Sequence, residues 1–263
     1  MYALKKFHSR GFNRDQALSI GYAKTYSVGA DAHEYTSQDF WPLLLSNLKK
    51  EGRYLDVGCG VGGWALFLAD EGYDVVGVDE SGSVARAMSE YNPDLEIKVA
   101  SSTRVPYADA SFDGVVSIGS LDFLEGRVEE GVAELTRLVK PGGFVFVEVP
   151  YVNLWRRILY IPLKKVEYVF RRILGYEPWF AYYLFTKSDI EGMLSRHGAV
   201  VKEVMPHDLS DKDSHYGIYT DWPFCRGKEP YKLNFIGRIA KWKAELFSKW
   251  IASTGIVVLA VKK

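Results

Sequence analysis

The chain of 263 residues is long enough for one large α/β domain with insertions, or for two small domains. Hydrophobic residues make up 48% and charged residues 25%, and the formal net charge of +0 gives no indication of nucleic-acid binding. Two cysteines, Cys59 and Cys225, exclude a disulfide framework, no Cys/His spacing matches a zinc site, and no apolar run reaches the roughly 18 residues of a membrane-spanning helix.

Short apolar runs alternate with segments of helical periodicity between residues 51 and 150. Strands are predicted at 53–58, 73–79, 95–100, 112–119 and 144–150, the last after a predicted turn at 141–143. Helices are predicted at 62–72, 81–92 and 128–139, and Ser81 is positioned to cap the second. Because strands that alternate with helices are joined by right-handed crossovers, the sequence predicts a doubly wound, parallel α/β sheet.

Further core elements follow a long insertion. Thr186 and Asp189 have the spacing of a capping box at the start of the helical segment TKSDIEGMLSRHG, which Gly198 ends. The strand AVVKEVM comes next, and IVVLAVKK at 256–263 is the predicted terminal strand. The chain therefore returns to the sheet twice after residue 150.

The loop after the first of these core strands contains Gly58, Gly60 and Gly63 in the spacing G-x-G-x-x-G, and Asp79 ends the next apolar run. This pattern is typical of a loop that binds an adenosine-containing ligand. The glycines let the backbone approach the ligand, and Asp79 can accept hydrogen bonds from both ribose hydroxyls. Asp56 would repel the pyrophosphate of NAD but attract the ammonium and sulfonium groups of S-adenosylmethionine. Charge therefore favours S-adenosylmethionine.

Five stretches resemble the class I S-adenosylmethionine-dependent methyltransferases, in particular the group that acts on small molecules, lipids and glycans. In chain order they are LDVGCGVGG (55–63), VVGVDES (75–81), VPYADASFDGVVS (105–117), LVKPGGFVFVEVP (138–150) and FTKSDIEGMLSRHGAVV (185–201). The resemblance implies a Rossmann-like, mostly parallel sheet of about seven strands. It also implies an enzyme with S-adenosylmethionine as cofactor and S-adenosylhomocysteine as product.

The resemblance assigns roles to the loop residues. Asp56, Gly58 and Gly60 would line the methionine part of the cofactor, and Asp79 with Glu80 would hold the ribose. The full set of predicted cofactor-binding residues is Asp56, Gly58, Cys59, Gly60, Asp79, Glu80, Ser101, Ser102, Thr103, Ile118 and Gly119.

The expected contacts differ within this set. The adenine loop reads Ser101-Ser102 where the family often has an acidic residue followed by alanine, although a serine hydroxyl can still accept a hydrogen bond from the adenine amino group. Ile118 and Gly119 would flank the methyl group that is transferred. Cys59 is interpreted as a small residue in backbone contact, not as a nucleophile.

The predicted organisation has a core interrupted by two caps. Its parts are an N-terminal helical segment over the cofactor site (1–50), the cofactor-binding core (51–150), a basic amphipathic cap insertion (151–184), a core helix and strand (185–206), a second cap insertion (207–254) and the terminal core strand (255–263). In the first part, Tyr22 and Tyr26 are predicted to close over the cofactor or to pack on the sheet edge.

The caps carry most of the positive charge. Residues 151–180 have a net charge of +4 and residues 226–250 a net charge of +5, which leaves −9 for the remainder. In 163–174 and 232–251 the apolar residues share one helical face and basic residues the other. Two interpretations stay open: the apolar faces pack on the sheet and on each other, or the helices form an interfacial lid at an anionic lipid surface.

The predicted reaction is methyl transfer from S-adenosylmethionine to a hydroxyl on a small-molecule, glycan or lipid-linked acceptor, without a metal. His215 and Asp213 are the candidate catalytic residues, because an unperturbed histidine titrates near neutrality. A quinone- or sterol-type carbon methyltransferase and a non-catalytic S-adenosylmethionine-binding protein are the alternatives. The start of the chain lacks the apolar core of a signal peptide, so the expected location is the cytoplasm, with possible peripheral contact at the inner membrane surface.

Overall fold

The computed structural model describes residues 1–7, 36–60, 63–208, 213–228 and 231–263. The strands are β1 (Tyr2–Phe7), β2 (Arg53–Val57), β3 (Asp74–Asp79), β4 (Glu96–Val99), β5 (Phe112–Ile118), β6 (Val139–Pro150), β7 (Pro178–Leu184), β8 (Ala199–His207) and β9 (Gly255–Lys262). The helices are α1 (Trp41–Leu45), α2 (Gly63–Asp70), α3 (Gly82–Tyr91), α4 (Val128–Leu138), α5 (Ile161–Ile173), α6 (Lys187–Arg196), α7 (Tyr216–Asp221), α8 (Phe235–Phe247) and α9 (Lys249–Ala252). Gly62, Tyr22 and Tyr26 lie outside the described residues, as does most of the predicted N-terminal segment.

Seven strands form one sheet in the order β4-β3-β2-β5-β6-β9-β8. The strands from β4 to β6 in this order are parallel, and β9 is antiparallel to both β6 and β8. The predicted doubly wound, mostly parallel seven-stranded sheet is therefore confirmed. Because β6 and β8 both oppose β9, they end at the same edge of the sheet as β2 and β5. Pro150 and His207 consequently lie on the edge where the glycine loop begins.

The central strands are buried on both faces, as their continuous apolar sequences require. Leu55 and Val57 of β2 are 0% exposed and belong to one apolar cluster with Val132 and Leu135 of α4. These two α4 residues are three apart, so they lie on the same side of the helix and pack onto the sheet. The burial fixes β2 rigidly below the loop that follows it.

The predicted helix caps are present. The Ser81 hydroxyl accepts a hydrogen bond from the Val84 amide, and the Thr186 hydroxyl accepts one from the Asp189 amide. The Asp189 carboxylate accepts the Thr186 amide in return, which completes the capping box. One boundary differs: the predicted turn at 141–143 lies within β6, where the β5–β6 register shifts between Phe112 and Gly114.

A two-stranded antiparallel ribbon of β1 and β7 is absent from the sequence prediction. Residues 2–7 form this strand and not part of a helix, and Leu4 is buried in a small cluster with Leu184. The ribbon joins the first residues of the chain to the first cap.

The apolar faces of the cap helices are exposed. The side chains on α5 that are between 56% and 77% exposed are Leu163, Val166, Val169, Phe170 and Ile173. Those on α8 that are between 58% and 80% exposed are Phe235, Ile236, Trp242, Leu246 and Phe247. The interpretation in which both helices bury these faces on the sheet and on each other is therefore wrong. No helix within the described ranges is both long and apolar enough to span a bilayer.

One buried ion pair holds the two caps together. Arg156 Nε lies 2.6 Å from Asp221 Oδ2, and the two side chains are 2% and 3% exposed. Arg156 also donates to the carbonyl oxygens of Tyr151 and Thr254, at 2.8 and 3.0 Å. Arg156, one of the basic residues of the first cap, thus ties this cap to the second cap and to the start of β9.

We expect Asp221→Ala to lower the free energy of unfolding by about 3–5 kcal/mol, because the Arg156 guanidinium would remain buried without its counter-ion. Glu130→Ala is the matched control: it removes an exposed pair with Arg127 and should cost about 1 kcal/mol or less. Urea denaturation of both variants measures the difference. Equal and small losses would show that the buried pair does not stabilise the caps.

Candidate functional site

The glycine loop lies at the carboxyl edge of the sheet, between β2 and α2. Gly58 and Gly60 have φ angles of +74° and +56°, a conformation that favours glycine. The amides of Gly58 and Cys59 both donate to the Val78 carbonyl, which anchors the loop to β3. A Cβ atom on Gly60 would meet nothing within 4 Å, so this part of the loop faces open space. The loop can therefore bring its backbone against a ligand.

Asp79 ends β3 beside this loop. Its Oδ2 accepts the Gly60 amide at 2.9 Å, and its Oδ1 accepts the Ser81 amide at 2.8 Å. Each carboxylate oxygen has a second lone pair, so both can still accept a hydrogen bond from a hydroxyl group. This is the arrangement that holding a ribose requires. Glu80, the other predicted ribose residue, is exposed and follows directly.

Asp56 lies beneath the loop and is 3% exposed. Burial raises its pKa to about 7, the Ala65 amide opposes this shift, and the negative charge of Asp79 adds to it. A nearby cation would stabilise the ionised carboxylate. Burial also raises the pKa of the Cys59 thiol, and its sulfur lies next to Gly77. Cys59 is thus a packing residue with a protonated thiol.

The loop after β4 lies next to Asp79, because the Ala100 amide donates to the Asp79 carbonyl at 3.0 Å. In this loop the hydroxyls of Ser101 and Thr103 are 3.1 Å apart, and Ser102 is 5% exposed. The structure therefore brings the predicted adenine residues alongside the predicted ribose residue.

Ile118 and Gly119 end β5 on the other side of the glycine loop. The Gly119 amide donates to the Glu148 carbonyl at 3.2 Å, and Gly119 has a φ of +62°. Ser120 packs against Gly58, and its hydroxyl donates to the Val57 carbonyl at 3.0 Å. The loops after β2 and β5 are thus in direct contact at the point where the strand order reverses, the usual ligand site of such sheets.

A polar cluster that the sequence prediction did not include lies next to Gly119. The Glu148 carboxylate is on β6, and a Cβ atom on Gly119 would lie 3.8 Å from its Oε2. A Cβ on Gly255 would lie 2.8 Å from Glu148 Oε1 and 3.0 Å from the His207 ring, so these two side chains meet over Gly255. His207 Nδ1 is 2.5 Å from Asp39 Oδ1. We call Glu148, His207 and Asp39 the edge cluster.

The groups of the edge cluster shift one another's pKa values. Burial raises the pKa of Glu148, against the opposing effect of a positively charged His207. Burial alone would lower the pKa of His207, but its hydrogen bond to Asp39 and the charges of Glu148 and Asp208 raise it overall. The cluster can therefore take up and release a proton as an interacting set of groups.

Asp122 adds a further buried carboxyl to this edge. It is 3% exposed, and its Oδ1 has no hydrogen-bond partner within the described part of the chain. Burial raises the pKa of Asp122 well above its ordinary value, and the charge of Glu148 reinforces the shift. A buried acidic group without a partner is costly unless a ligand supplies one.

The predicted catalytic residues lie farther along the second cap. His215 is 1% exposed and caps α7, with Nδ1 accepting the Ile218 amide at 3.0 Å. Burial lowers its pKa, so the ring is neutral at pH 7. Asp213 is partly exposed and lies 3.5 Å from Arg238. His215 is 3.2 Å from Asp208, the residue after His207, so it borders the edge cluster. The catalytic role of His215 and Asp213 stays a prediction.

One sequence signal could have located the edge cluster. Glu148 is an acidic residue within the apolar run FVFVEVP, as Asp79 is at the end of YDVVGVD. In both cases a carboxylate within an apolar strand indicates either a partner of opposite charge or a functional role.

These residues fit S-adenosylmethionine. The loop has no bulky side chain at Gly60, Asp79 has acceptor capacity for two hydroxyls, and the neighbouring buried carboxyls Asp56 and Asp122 favour a positively charged ligand. A pyrophosphate would meet the same carboxyls unfavourably.

Part of the chain is similar to known methyltransferases. Residues 55–147 match the family model described as a methyltransferase domain. A demethylmenaquinone methyltransferase of Beutenbergia cavernae is 37% identical over 36% of this chain and 39% of its own length. The enzyme of the same name from Paenarthrobacter aurescens is 32% identical over 52% of this chain and 56% of its own length. The chain thus spans about half the length, or less, of these curated relatives.

The fold has solved counterparts. An S-adenosylmethionine-dependent methyltransferase from Methanosarcina mazei superposes with a TM-score of 0.58 at 19% identity, covering 85% of this chain and 98% of its own. At that identity the likeness concerns the fold alone. The superposition shows that the chain has the class I fold of the S-adenosylmethionine-dependent methyltransferases, and residues 55–147 within it are similar to a methyltransferase domain.

Proposed function

We propose that this chain transfers a methyl group from S-adenosylmethionine to a hydroxyl group on a lipid-linked acceptor. The observation that carries the proposal is the edge cluster: a histidine paired with Asp39 and facing Glu148, beside the loop assigned to the cofactor. A proton acceptor is what a hydroxyl acceptor needs and what a simple binding protein does not.

The residues divide the work of the reaction. When bound, S-adenosylmethionine supplies a methyl group on a sulfonium, so the acceptor oxygen gains a bond to carbon as the carbon–sulfur bond breaks and S-adenosylhomocysteine is formed. Asp79 and the glycine loop hold the cofactor in position. Asp39 keeps the proton on His207 Nδ1, so the lone pair is on Nε2 and can take the hydroxyl proton. The protein's main contribution is alignment and the exclusion of water.

The cap helices support a lipid acceptor at a membrane surface. Val166 and Phe170 on α5 are 68% and 61% exposed, on a helix that also carries Lys165 and Arg172. Amphipathic helices with basic flanks and exposed aromatic and aliphatic side chains lie in the interface of anionic bilayers. We therefore include peripheral contact with an anionic membrane in the proposal.

Carbon methylation of a quinone is the second candidate, because both curated relatives described above are named demethylmenaquinone methyltransferases. It can use the same proton acceptor, because loss of the hydroxyl proton activates the ring carbon. The ring carbon bonds to the methyl group as the carbon–sulfur bond breaks, and it then loses its own hydrogen as a proton while the oxygen regains one. The test is to incubate the chain with tritiated S-adenosylmethionine and a membrane lipid extract, then identify the labelled lipid by mass spectrometry. A methyl ether supports oxygen transfer and a C-methyl product supports the second candidate. Label that never enters a lipid would contradict both.

We expect Asp79→Ala to weaken binding of S-adenosylhomocysteine by roughly ten- to a hundredfold, about 1.5–3 kcal/mol. The reason is the loss of the two carboxylate oxygens that would accept hydrogen bonds from the ribose hydroxyls. Asp74→Ala is the control, since Asp74 is an exposed carboxylate at the opposite end of the same strand. Calorimetry with S-adenosylhomocysteine measures both. Unchanged affinity in a folded Asp79 variant would give this residue a structural role only.

His207→Asn is expected to reduce turnover of the labelled acceptor by about a hundredfold or more, with little change in cofactor affinity. In the unmodified chain the rate should rise with pH through the raised pKa of His207, because only the unprotonated ring accepts a proton. The His207→Asn variant should lose this rise of the rate with pH.

His197→Asn is the matched control, since His197 contacts only Glu129 among the interactions described for its ring. His215→Asn tests the residue predicted from the sequence in the same assay. A larger loss in the His215 variant than in the His207 variant would move the proton acceptor to His215.

Two aspartate substitutions on the exposed face of α5, Val166→Asp and Phe170→Asp, should abolish sedimentation with vesicles of phosphatidylcholine and phosphatidylglycerol. The introduced charges would have to enter the hydrocarbon boundary. Tyr91→Asp, at a 54% exposed position on α3, adds the same charge away from the caps and should sediment normally. If the unmodified chain ignores such vesicles at low salt, the membrane part of the proposal fails.

A further inference from the structure

The two caps enclose an apolar cavity that is separate from the cofactor loop. Its volume is about 670 Å³, within the range of roughly 300–1,000 Å³ that is common for small-molecule pockets. None of the residues assigned to the cofactor lines it. Its walls come from the segment before α5, from α7 and from α8, and include Leu159, Trp222, Ala240 and Ala244.

The buried charged and amide side chains in its wall are paired. Arg156 and Asp221 pair with each other, and the remaining Arg156 donors reach backbone carbonyls. The Asn153 amide donates to the carbonyls of Ala252 and Ser253, at 3.0 and 2.9 Å. The wall therefore offers an occupant mainly apolar contact, which suits a hydrocarbon better than a sugar or a nucleotide.

The inner end of the cavity adjoins the edge cluster. Thr254 lines the cavity, and its hydroxyl donates to Asp208 Oδ2 at 2.5 Å. The next residue, Gly255, is the position over which Glu148 and His207 meet. An occupant with a polar head at this end would place that head beside the proposed proton acceptor.

The outer end opens onto the exposed apolar faces of the caps. Leu159 and Phe247 line the cavity and are 42% and 80% exposed. Leu159 continues into α5 as the first member of a stripe with Leu163, Val166 and Phe170, at spacings of four, three and four residues. Lys243 stands in the lining as an exposed cation. The entrance is thus apolar and level with the face proposed to rest on the bilayer.

We propose that this cavity binds the acyl or prenyl chain of the acceptor, which enters from the bilayer side and leaves the reacting hydroxyl at the edge cluster. This inference rests on the proposed function for the identity of the head group. The site for the hydrocarbon chain does not depend on it. It assigns a ligand class to residues that no part of the methyltransferase core requires.

The site is tested on the full chain with a fluorescent undecanoic acid that carries a dansyl group. We expect saturable binding and competition by dodecanol and hexadecanol that is much stronger than competition by butanol, because each buried methylene adds to affinity. Ala244→Trp and, separately, Ala240→Trp place a large ring in the cavity and should weaken probe binding about tenfold or more. Leu246→Trp, on the same helix but outside the lining, is the matched control and should bind normally.

Binding of S-adenosylhomocysteine by calorimetry identifies variants that have not folded, and the second tryptophan variant serves if one fails. Probe binding that is absent in the unmodified chain, or equal in all variants, overturns the inference even if lipid methylation is observed. Selective probe binding without any methylation supports the hydrocarbon-binding site and contradicts the proposed function. Concentration-dependent dimers that Ala244→Trp dissociates would instead assign the cavity to a second copy of the chain, which also overturns the inference.

Discussion

The site depends on one electrostatic constraint: carboxyl groups are buried at a single edge of the sheet. Burial raises the pKa values of Asp56, Asp122 and Glu148, which come from β2, from the turn after β5 and from β6. A buried carboxylate is stable in its ionised form only near a positive charge. The edge therefore favours a cationic ligand over a phosphate. The same glycine loop without these carboxyls would suit a dinucleotide equally well, so charge and not loop shape makes the distinction.

Local patterns predicted the parts of the fold that local physics determines. The alternation of strands and helices, the loop from Gly58 to Gly60 and the capping box of Thr186 are each set within a few residues of sequence. The β1–β7 ribbon was missed because it pairs residues as distant in sequence as Tyr2 and Leu184, and a short strand has no local signature of its partner. The exposure of the α5 face was left open for a related reason: an amphipathic pattern states which face is apolar but not what covers it.

The cofactor residues and the edge cluster differ in the same way. Asp56 and Asp79 lie within one βαβ unit, so their spacing in sequence determines their spacing in the fold. His207 and Asp39 are 168 residues apart, and Glu148 lies between them in sequence. They meet because β9 lies between β6 and β8 and is antiparallel to both. β8 therefore runs parallel to β6 and ends at the same carboxyl edge. No sequence spacing encodes that convergence.

The buried Arg156 changes the interpretation of the caps. Arg156 contributes to the net positive charge of residues 151–180, yet its charge is neutralised inside the protein by Asp221 of the other cap. The two insertions are therefore one structural unit, joined to β9 through the Thr254 carbonyl. Gly255 follows Thr254 and separates the cavity wall from the edge cluster by a single residue. The unit that would contact the acceptor chain therefore adjoins the groups that would take its proton.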